Sequence, residues 1–403
     1  MDLKSGYPYW AVKNGLMHAF PRMQADLKCD VLVVGAGITG ALMARALASE
    51  GLDVAVVEQR DIAWGSTAAS TALLQYEIDT HMVELARLYD TATAALVYKA
   101  CARAILLLRK IAGEVGDVDF AMNESLYFAS SWLHRPRLRA EYELRRKHGF
   151  DVRLLSRAEL SDAYGFAAPS AILSKLGARV DPYRLASRLL HALSKKGVRI
   201  FDRTRVASIE PRARSVDALT EEGIRVRAAH VVMANGYAAQ AWLKQKVAVN
   251  RSSYAFVTDP IDQQELARWS DTLLWESARP YMYARSTGDG RLVIGGEDDA
   301  IDIPARRDAR VEKNAAKLCK RAARIFPRLN LQPTFAWAGT FAETDDGLPF
   351  FGAHPQYGSR VLFTMAYGGN GITYSALGGE LIAAAILRRK HPLRDIFGFA
   401  RAN

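Results

Sequence analysis

Cysteine and long apolar segments are scarce in this chain of 403 residues. Its three cysteines, Cys29, Cys101 and Cys319, lie far apart and form no Cys-x-x-Cys pair, which argues against a disulfide framework or a zinc site. No run reaches the roughly 18 apolar residues that span a bilayer, and the longest attempt, 100–108, is interrupted by Arg103. The first ten residues lack the apolar centre of a secretory signal. These absences predict no metal site, no membrane span and a reducing, cytoplasmic location.

Basic side chains outnumber acidic ones and give the chain a formal net charge of +11. The densest basic cluster, at 135–147, also contains Glu141 and Glu143 at helical spacing from basic residues. No helix-turn-helix pattern or aromatic RNA-binding signature accompanies this cluster. We therefore interpret it as a solvated helix face and predict no nucleic-acid partner, although the overall field still favours anionic cofactors or substrates.

The stretch that organises the chain begins with an apolar run at 31–34, typical of a buried parallel strand. The sequence Gly35-Ala36-Gly37-Ile38-Thr39-Gly40 follows at once, then a helical pattern over 41–49 and a second apolar run at 54–57 that ends in Glu58. Strand, glycine turn, helix, strand and acid in this order predict a dinucleotide site. The alternative, a glycine-rich connection that binds nothing, leaves Glu58 without a role.

Each part of this motif has a physical role. Gly35 allows the tight turn, Gly37 lets the backbone approach a pyrophosphate, and Gly40 lets helix and strand pack closely. The helix N-terminus offers unpaired N–H groups and a partial positive charge to the phosphates. Glu58 can accept hydrogen bonds from ribose hydroxyls and would repel the additional phosphate of NADP. The motif alone does not separate NAD from FAD.

Three further stretches carry the small residues that let a backbone approach a flat ligand. They are a loop at 65–72, a buried strand at 230–234 that runs into a glycine turn, and a glycine-rich segment at 363–373 before a helix. A flexible linker is the alternative for the first loop, but burial resumes promptly after it. At 403 residues two domains are expected. The spacing predicts interleaving, with two insertions that form a second domain.

Several motifs now point to one family. They are VVGAGITG with Glu58, GSTAAST, VDPYRL, VVMANGY, WAGTFAETDDGLPFFG and AYGGNGIT, in that order from about 30 to 387. Together they resemble the FAD-dependent amine and amino-acid oxidases that include D-amino-acid oxidase, glycine oxidase, sarcosine oxidase and γ-glutamylputrescine oxidase. The resemblance implies an α/β fold, with a discontinuous Rossmann-type FAD-binding domain beside an α+β substrate domain on an antiparallel-rich sheet.

The resemblance also implies domain boundaries. The FAD-binding domain is expected from 28–85, 152–238 and 338–403, and the substrate domain from 86–151 and 239–337. Residues 1–27 are expected to pack on the body as a lead-in. The loop at 368–371 would lie against the isoalloxazine ring, and the following helix N-terminus would stabilise negative charge at the pyrimidine edge of that ring.

The predicted FAD contacts are small, hydroxyl-bearing or backbone groups of these motifs. They are Gly35, Gly37, Ile38, Thr39, Gly40, Glu58, Gln59, Arg60, Gly65, Ser66, Thr67, Ser70, Thr71, Ala72, Leu73, Val206, Ala234, Asn235, Gly236, Tyr237, Gly339, Asp346, Gly368, Gly369, Asn370, Gly371, Ile372 and Thr373.

Three positions depart from the relatives. Sarcosine oxidase-like enzymes attach their flavin through a Cys seven residues before the Asp that matches Asp346; Gly339 stands there, which implies non-covalent FAD. The Arg that grips the substrate carboxylate in glycine oxidase and D-amino-acid oxidase falls at Phe341, so a simple α-amino acid is not expected. The oxygen-activating Lys of sarcosine oxidase falls at Val293, which leaves oxygen or another molecule open as the electron acceptor.

Candidate substrate-contacting residues come from the strand at 281–285. By period-2 alternation Tyr281, Tyr283 and Arg285 share one face, where Arg285 could hold an anionic group and the tyrosines could line an amine site. Tyr254 and Tyr367 are similar candidates. The alternative is that this face packs on the other domain.

The sequence thus predicts an FAD-dependent oxidoreductase that oxidises a C–N bond of an amine or amino-acid-like substrate to an imine. Hydride transfer to flavin N5 would be followed by reoxidation by oxygen or another acceptor. The alternatives are a flavin-dependent dehydrogenase of a hydroxy acid or other non-amine donor, an NAD-dependent dehydrogenase, and a non-enzymatic flavin subunit of an assembly.

Overall fold

Two β-sheets organise the fold, which is taken from a computed structural model that describes residues 2–365 and 367–402. The helices are α1 Tyr9–Asn14, α2 Ile38–Ser49, α3 Ser66–Ala69, α4 Met82–Leu88, α5 Thr91–Val115, α6 Arg135–Lys147, α7 Arg157–Tyr164, α8 Pro182–Ser194, α9 Gln263–Leu266, α10 Pro304–Asp308, α11 Val311–Ile325 and α12 Gly371–Ile386. Short 3₁₀ helices are Trp132–His134, Gly236–Trp242 and Phe399–Ala402.

The strands supply both sheets in an interleaved order. They are β1 Leu27–Val34, β2 Val54–Val57, β3 Leu73–Gln75, β4 Ala121–Phe128, β5 Val152–Ser156, β6 Ser170–Arg179, β7 Arg199–Phe201, β8 Val206–Pro211, β9 Val216–Thr220, β10 Arg225–Met233, β11 Val249–Val257, β12 Thr272–Glu276, β13 Met282–Ser286, β14 Leu292–Asp299, β15 Phe335–Glu343, β16 Phe350–Ala353 and β17 Val361–Met365.

The first sheet has the strand order β16-β17-β10-β1-β2-β7, with β9 beside β10 and β8 beside β9. The five strands from β17 to β7 are parallel, and in chain order they run 3-2-1-4-5 from β7 to β17. That is the Rossmann order, in which a ligand binds at the carboxyl ends of the strands where the order reverses. Here the order reverses between β1 and β10, which pair up to Val34 and Met233. The predicted α/β fold class is confirmed.

The second sheet has the order β15-β11-β14-β13-β12-β4-β6-β3, with β5 paired to β6. Its neighbours are antiparallel except for β4 and β12, which are parallel. Helix α11 lies against β11, β14 and β15 and buries Leu318 and Ala322 in a separate apolar core. The antiparallel-rich sheet of the second domain is therefore present.

Sheet membership differs from the predicted domain segments in three places. Strand β3 lies within 28–85, β5 and β6 within 152–238, and most of β15 within 338–403, yet all four belong to the second sheet. The reason is long-range pairing, because β6 is hydrogen-bonded to β3, β4 and β5 at once. Apolar patterning identifies a strand but not its partner.

Helix α5 is the one described helix long and apolar enough to cross a membrane, judged by length and composition alone. Length and composition alone do not decide the prediction that no segment spans a bilayer, which stays a prediction. Half of its most apolar window is buried, and the helix packs against α4, α8 and α12. An amphipathic core helix shows the same properties.

Candidate active site

A single crevice brings together the carboxyl ends of the first sheet, the loop at 65–72 and the loop at 368–371. Its empty space, including solvent at the mouth, is about 2000 Å³. All the predicted site residues line it except Gly40, Val206, Arg285, Asp346 and Tyr367. Segments from the start, middle and end of the chain therefore meet at one ligand-sized cleft.

The glycine turn after β1 is sterically closed to larger residues. Gly35 has φ of +109°, and a Cβ there would lie 2.5 Å from the Ala234 carbonyl oxygen. A Cβ on Gly40 would lie 1.8 Å from the Gly35 carbonyl oxygen. Gly40 therefore packs α2 against the turn, which is the role predicted for it, and it does so from outside the crevice.

Glu58 is held across this turn by backbone N–H groups. Its Oε2 accepts from Ala36 at 2.8 Å, and its Oε1 accepts from Arg60 at 3.0 Å. Burial raises the pKa of Glu58, and these two hydrogen bonds oppose that rise. The carboxylate thus stands at the end of β2, where a ribose acceptor is expected.

The start of α12 is tied to the chain around β3. Asn370 Nδ2 donates to the carbonyl oxygens of Gln75 at 3.2 Å and Glu77 at 2.9 Å. The Gly369 N–H donates to Asp79 Oδ2 at 2.7 Å. A hydroxyl pair at 2.8 Å, Thr39 with Ser375, joins α12 to α2. Two helices with N-termini in the crevice are therefore fixed to one another.

The residues present fit FAD. Ser66 Oγ and Asn235 Oδ1 line the crevice, are buried, and have no hydrogen-bond partner in the described structure. Buried polar groups are normally satisfied, so these two atoms indicate a polar ligand. The helix N-termini suit negative charge, that of α2 for phosphates and that of α12 for a reduced ring. A cleft that continues from the first glycine turn to the loop at 368–371 suits an elongated cofactor.

Aromatic side chains form the far end of the crevice. Tyr281 and Tyr283 lie with ring centroids 5.7 Å apart, and Tyr254 also lines the space. Gly295 faces Tyr283 across the β13–β14 pair, and a Cβ there would meet the phenol ring at 2.4 Å. Burial raises the pKa of Tyr283 to about 12. Its hydroxyl therefore stays protonated at neutral pH.

Arg285 does not hold a substrate anion, contrary to our prediction. It is 1% exposed, and its guanidinium donates to the carbonyl oxygens of Thr71 at 2.6 Å, Val180 at 2.9 Å and Ser286 at 3.0 Å. Alternation placed it on the same face as the two tyrosines, but further along β13 that face is covered by Trp10, whose ring centroid is 5.0 Å away. The packing alternative holds at this position.

Three other predicted residues also lie outside the crevice. Val206 is buried with the apolar side chains of β9. Asp346 forms an ion pair with Arg401, with Nε and Oδ2 2.8 Å apart, and its Oδ1 accepts a hydrogen bond from the Leu348 N–H at 3.0 Å. These contacts fix a turn. Tyr367 packs behind Tyr237 with ring centroids 5.4 Å apart. None of the three lines the crevice, and the buried Tyr367 hydroxyl has no hydrogen-bond partner among the described residues.

Sequence reasoning missed the polar and aromatic groups near the tyrosines. These lining residues are Gln75, Glu77, Asp79, Ser253, Trp275, Arg279, Asp298 and Trp337. They come from widely separated segments of the chain and share no motif. The sequence therefore gives no signal that they lie close together. Of the positions that depart from the relatives, Gly339 and Phe341 line the crevice, whereas Val293 is fully buried in the core.

Known proteins resemble this chain over most of its length. The family model described as FAD dependent oxidoreductase (DAO) matches residues 30–385, which overturns the NAD-dependent alternative. Gamma-glutamylputrescine oxidoreductase of Escherichia coli K12 is 25% identical over 395 residues, which cover 93% of this chain and 87% of the relative. Glycine oxidase of Bacillus subtilis strain 168 is 25% identical over 369 residues, which cover 90% of this chain and 94% of the relative.

Solved structures share the fold. L-proline dehydrogenase from P. horikoshii superposes with a TM-score of 0.77 at 19% identity, covering 94% of this chain and 99% of that one. Glycine oxidase from Geobacillus kaustophilus has a TM-score of 0.74 at 20% identity, covering 94% of this chain and 98% of that one. The chain therefore belongs to the DAO family of FAD-dependent oxidoreductases, with FAD as its cofactor and oxidation of amine or amino-acid C–N bonds as its chemistry.

Proposed function

We propose that this enzyme oxidises an amine rather than a simple α-amino acid. The observation that carries the proposal is that Phe341 lines the crevice, whereas Arg285 lies outside it and donates to three backbone carbonyls. A carboxylate recognised by a buried arginine therefore has no matching group on this face. The reaction removes a hydride from the carbon beside the nitrogen and a proton from the nitrogen, and water hydrolyses the resulting imine to a carbonyl compound and ammonia.

Bound FAD supplies the two-electron acceptor for that hydride. The protein positions the groups that surround the bound FAD. The N-terminus of α12 carries partial positive charge into the crevice and stabilises negative charge there. Tyr281 and Tyr283 remain neutral hydrogen-bond donors, because burial raises the pKa of both phenols. Their rings also exclude water from the reacting carbon, which protects the chemistry from solvent.

Anaerobic bleaching of the flavin tests this function. We expect the visible absorbance of the purified holoenzyme to fall on addition of amines and to stay unchanged with hydroxy acids of matched length. Bleaching by hydroxy acids alone would contradict amine oxidation and support the non-amine alternative. No bleaching by any donor, with FAD bound, would favour a non-enzymatic flavin subunit.

The electron acceptor is part of the same proposal. No lysine is among the described residues that line the crevice, and Val293 lies in the core. We therefore propose that the reduced enzyme passes its electrons to oxygen slowly and to another acceptor faster. Admitting air, or an artificial dye, to the amine-reduced enzyme compares the two routes.

Non-covalent attachment of FAD is expected because Gly339 has no side chain to link. A Cβ at this position would lie 3.2 Å from the Ala69 Cβ, and none of the described residues that line the crevice is Cys or His. Acid precipitation of the holoenzyme should leave a colourless pellet and all the flavin in the supernatant. A yellow pellet would show that another residue forms a bond to the flavin.

A reducing, cytoplasmic location completes the proposal. Cys29, Cys101 and Cys319 are all free thiols, and Cys101 is buried among apolar side chains of the core. Buried free cysteines of this kind behave as small apolar residues and persist in reducing compartments.

A further inference from the structure

Five residues are shared by the crevice and by a second, more open cavity. They are Asp79, Arg279, Tyr281, Asp298 and Gly368. The second cavity has about 1000 Å³ of empty space, including open solvent. A substrate that reaches the aromatic end of the crevice from this side must pass this junction. The chemistry of the junction therefore bears on what kind of molecule is accepted.

Acidic side chains outnumber basic ones in the lining of the second cavity. Asp298 Oδ1 is buried and has no hydrogen-bond partner among the described residues, and Asp79 Oδ2 accepts from the Gly369 N–H. Glu343 is already paired with Arg251 at 2.5 Å. Arg279 is exposed and lies over the Tyr281 ring, 4.7 Å from its centroid. Two carboxyl groups thus lie beside one guanidinium, and burial raises the pKa of both, so the junction gains net negative charge as the two carboxyls ionise.

Aromatic residues line the same crevice. Tyr281, Tyr283 and Trp275 line the crevice together with the two aspartates. Aromatic rings attract ammonium groups through their quadrupoles, and the attraction is stronger where water is excluded. An unpartnered buried carboxylate oxygen beside aromatic faces is complementary to an organic ammonium ion and not to a carboxylate.

We propose that Asp79 and Asp298 form a subsite for a second, cationic nitrogen of the substrate, so that the enzyme oxidises a diamine or longer polyamine at one end. The inference rests on the proposed amine oxidation and adds the substrate class. The nitrogen held at the junction is not oxidised. It places the other end of the molecule among the tyrosines, which is positioning of the kind that accelerates reaction.

The ionisation of Asp298 supports a pH-dependent subsite. Burial raises the pKa of Asp298 to about 7, a hydrogen bond from Ser253 and the charge of Arg279 oppose the rise, and Asp79 and Glu343 add to it. The neighbouring Glu297 is engaged by Lys317 and Arg321 of α11. Since the charged form attracts the ammonium group, diamine binding should strengthen as pH rises through about 7.

Three probes with four carbon atoms each test the subsite: 1,4-diaminobutane, n-butylamine and 4-aminobutanoate. They present a cation, a methyl group or an anion to the junction when the other end reacts. Anaerobic flavin reduction by the holoenzyme gives kcat/KM for each. We expect the diamine to exceed butylamine about 10-fold or more and 4-aminobutanoate to be the poorest, because unlike charges attract and like charges repel at a desolvated site.

Two substitutions sharpen the test. Asp298→Asn should lower the diamine-to-butylamine ratio of kcat/KM by about 10-fold and flatten the dependence of diamine KM on pH. Arg279→Gln should lower KM for the diamine, because it removes a like charge. Asp345→Asn, an exposed carboxylate that lines neither cavity, is the matched control and should leave the ratio unchanged.

The opposite results would overturn the subsite. Preference for 4-aminobutanoate, lost in Arg279→Gln, would show that the arginine binds a carboxylate. An equal fall in kcat for all three probes in Asp298→Asn would show that Asp298 acts on the reacting nitrogen instead. If Asp298→Asn does not retain FAD, the wild-type probe order and pH profile still decide. Failure of every amine to bleach bound flavin would count against amine oxidation itself, whereas equal bleaching by all three counts against the subsite alone.

Discussion

Replacing Gly40 with alanine should leave a protein that does not retain FAD and unfolds more easily by about 3 kcal/mol or more. The new Cβ would lie 1.8 Å from the Gly35 carbonyl oxygen, which is backbone and cannot swing aside as a side chain would. Relief requires α2 to move away from the turn. A Cβ on Gly35 would lie 2.5 Å from the carbonyl oxygen of Ala234, the residue just after β10, so the turn has no room on that side and the displacement would reach both walls of the crevice.

Gly113→Ala is the matched control for this change. Gly113 lies inside α5, is exposed, and a Cβ there would meet nothing within 4 Å. Alanine should stabilise the helix by about 0.5–1 kcal/mol, since glycine is the poorer helix former. Flavin content after gel filtration and denaturant unfolding measure both variants. Full flavin content and normal stability in Gly40→Ala would show that helix and turn are not packed as described.

Replacing Arg145 with methionine should cost about 3–5 kcal/mol of stability, because it strands buried carboxylates without a counter-charge. Arg145 is 0% exposed; its Nε donates to Glu141 at 2.7 Å and its Nη1 to Glu77 at 3.3 Å. Glu141 also accepts the N–H groups of Met82 at 3.0 Å and Val83 at 2.9 Å. The cluster therefore joins α6 to the start of α4.

The same variant should weaken FAD retention. The Glu77 carbonyl oxygen accepts from Asn370 Nδ2 at 2.9 Å, so a shift of Glu77 releases the N-terminus of α12 in the crevice. Arg146→Met changes the next residue of α6, which is exposed, and should alter stability by less than about 0.5 kcal/mol. Thermal unfolding with and without added FAD separates the two effects. Equal stability of Arg145→Met and Arg146→Met would refute the role of the buried cluster.

The sign of the pH dependence follows from Glu141. Burial acts to raise its pKa, but attraction to Arg145 and the N–H groups of α4 prevails and holds it below the ordinary value. A carboxyl whose pKa is lower in the folded chain contributes stability at neutral pH that is lost as pH falls through the folded pKa. The contribution of Glu141 to wild-type stability should therefore be lost in acid, and Arg145→Met should show less of that loss, because its Glu141 no longer has the attracting charge. Burial raises the pKa of Glu77 in the same cluster, so the contribution of Glu77 has the opposite sign.

Particular residues show how far sequence reasoning reached. The glycine motif, the loop at 65–72 and the loop at 368–371 were placed in one crevice, because each is a local pattern whose backbone chemistry needs no neighbour to interpret. Tyr281 and Tyr283 were also placed correctly by alternation. Arg285 was not, because alternation assigns a face to a side chain and says nothing about what covers that face at each point along the strand.

The sequence by itself therefore determined the fold class, the cofactor motif and the family of this protein, because strand, turn and helix signals depend on neighbouring residues in the chain. Only the tertiary structure decided sheet membership of β5 and β6, the use of Arg285 by backbone carbonyls, and the meeting of Asp79 with Asp298. These depend on pairing and burial between distant segments. The excess of carboxyl groups over basic groups at the junction is a property of that assembly, so no local pattern in the chain records it.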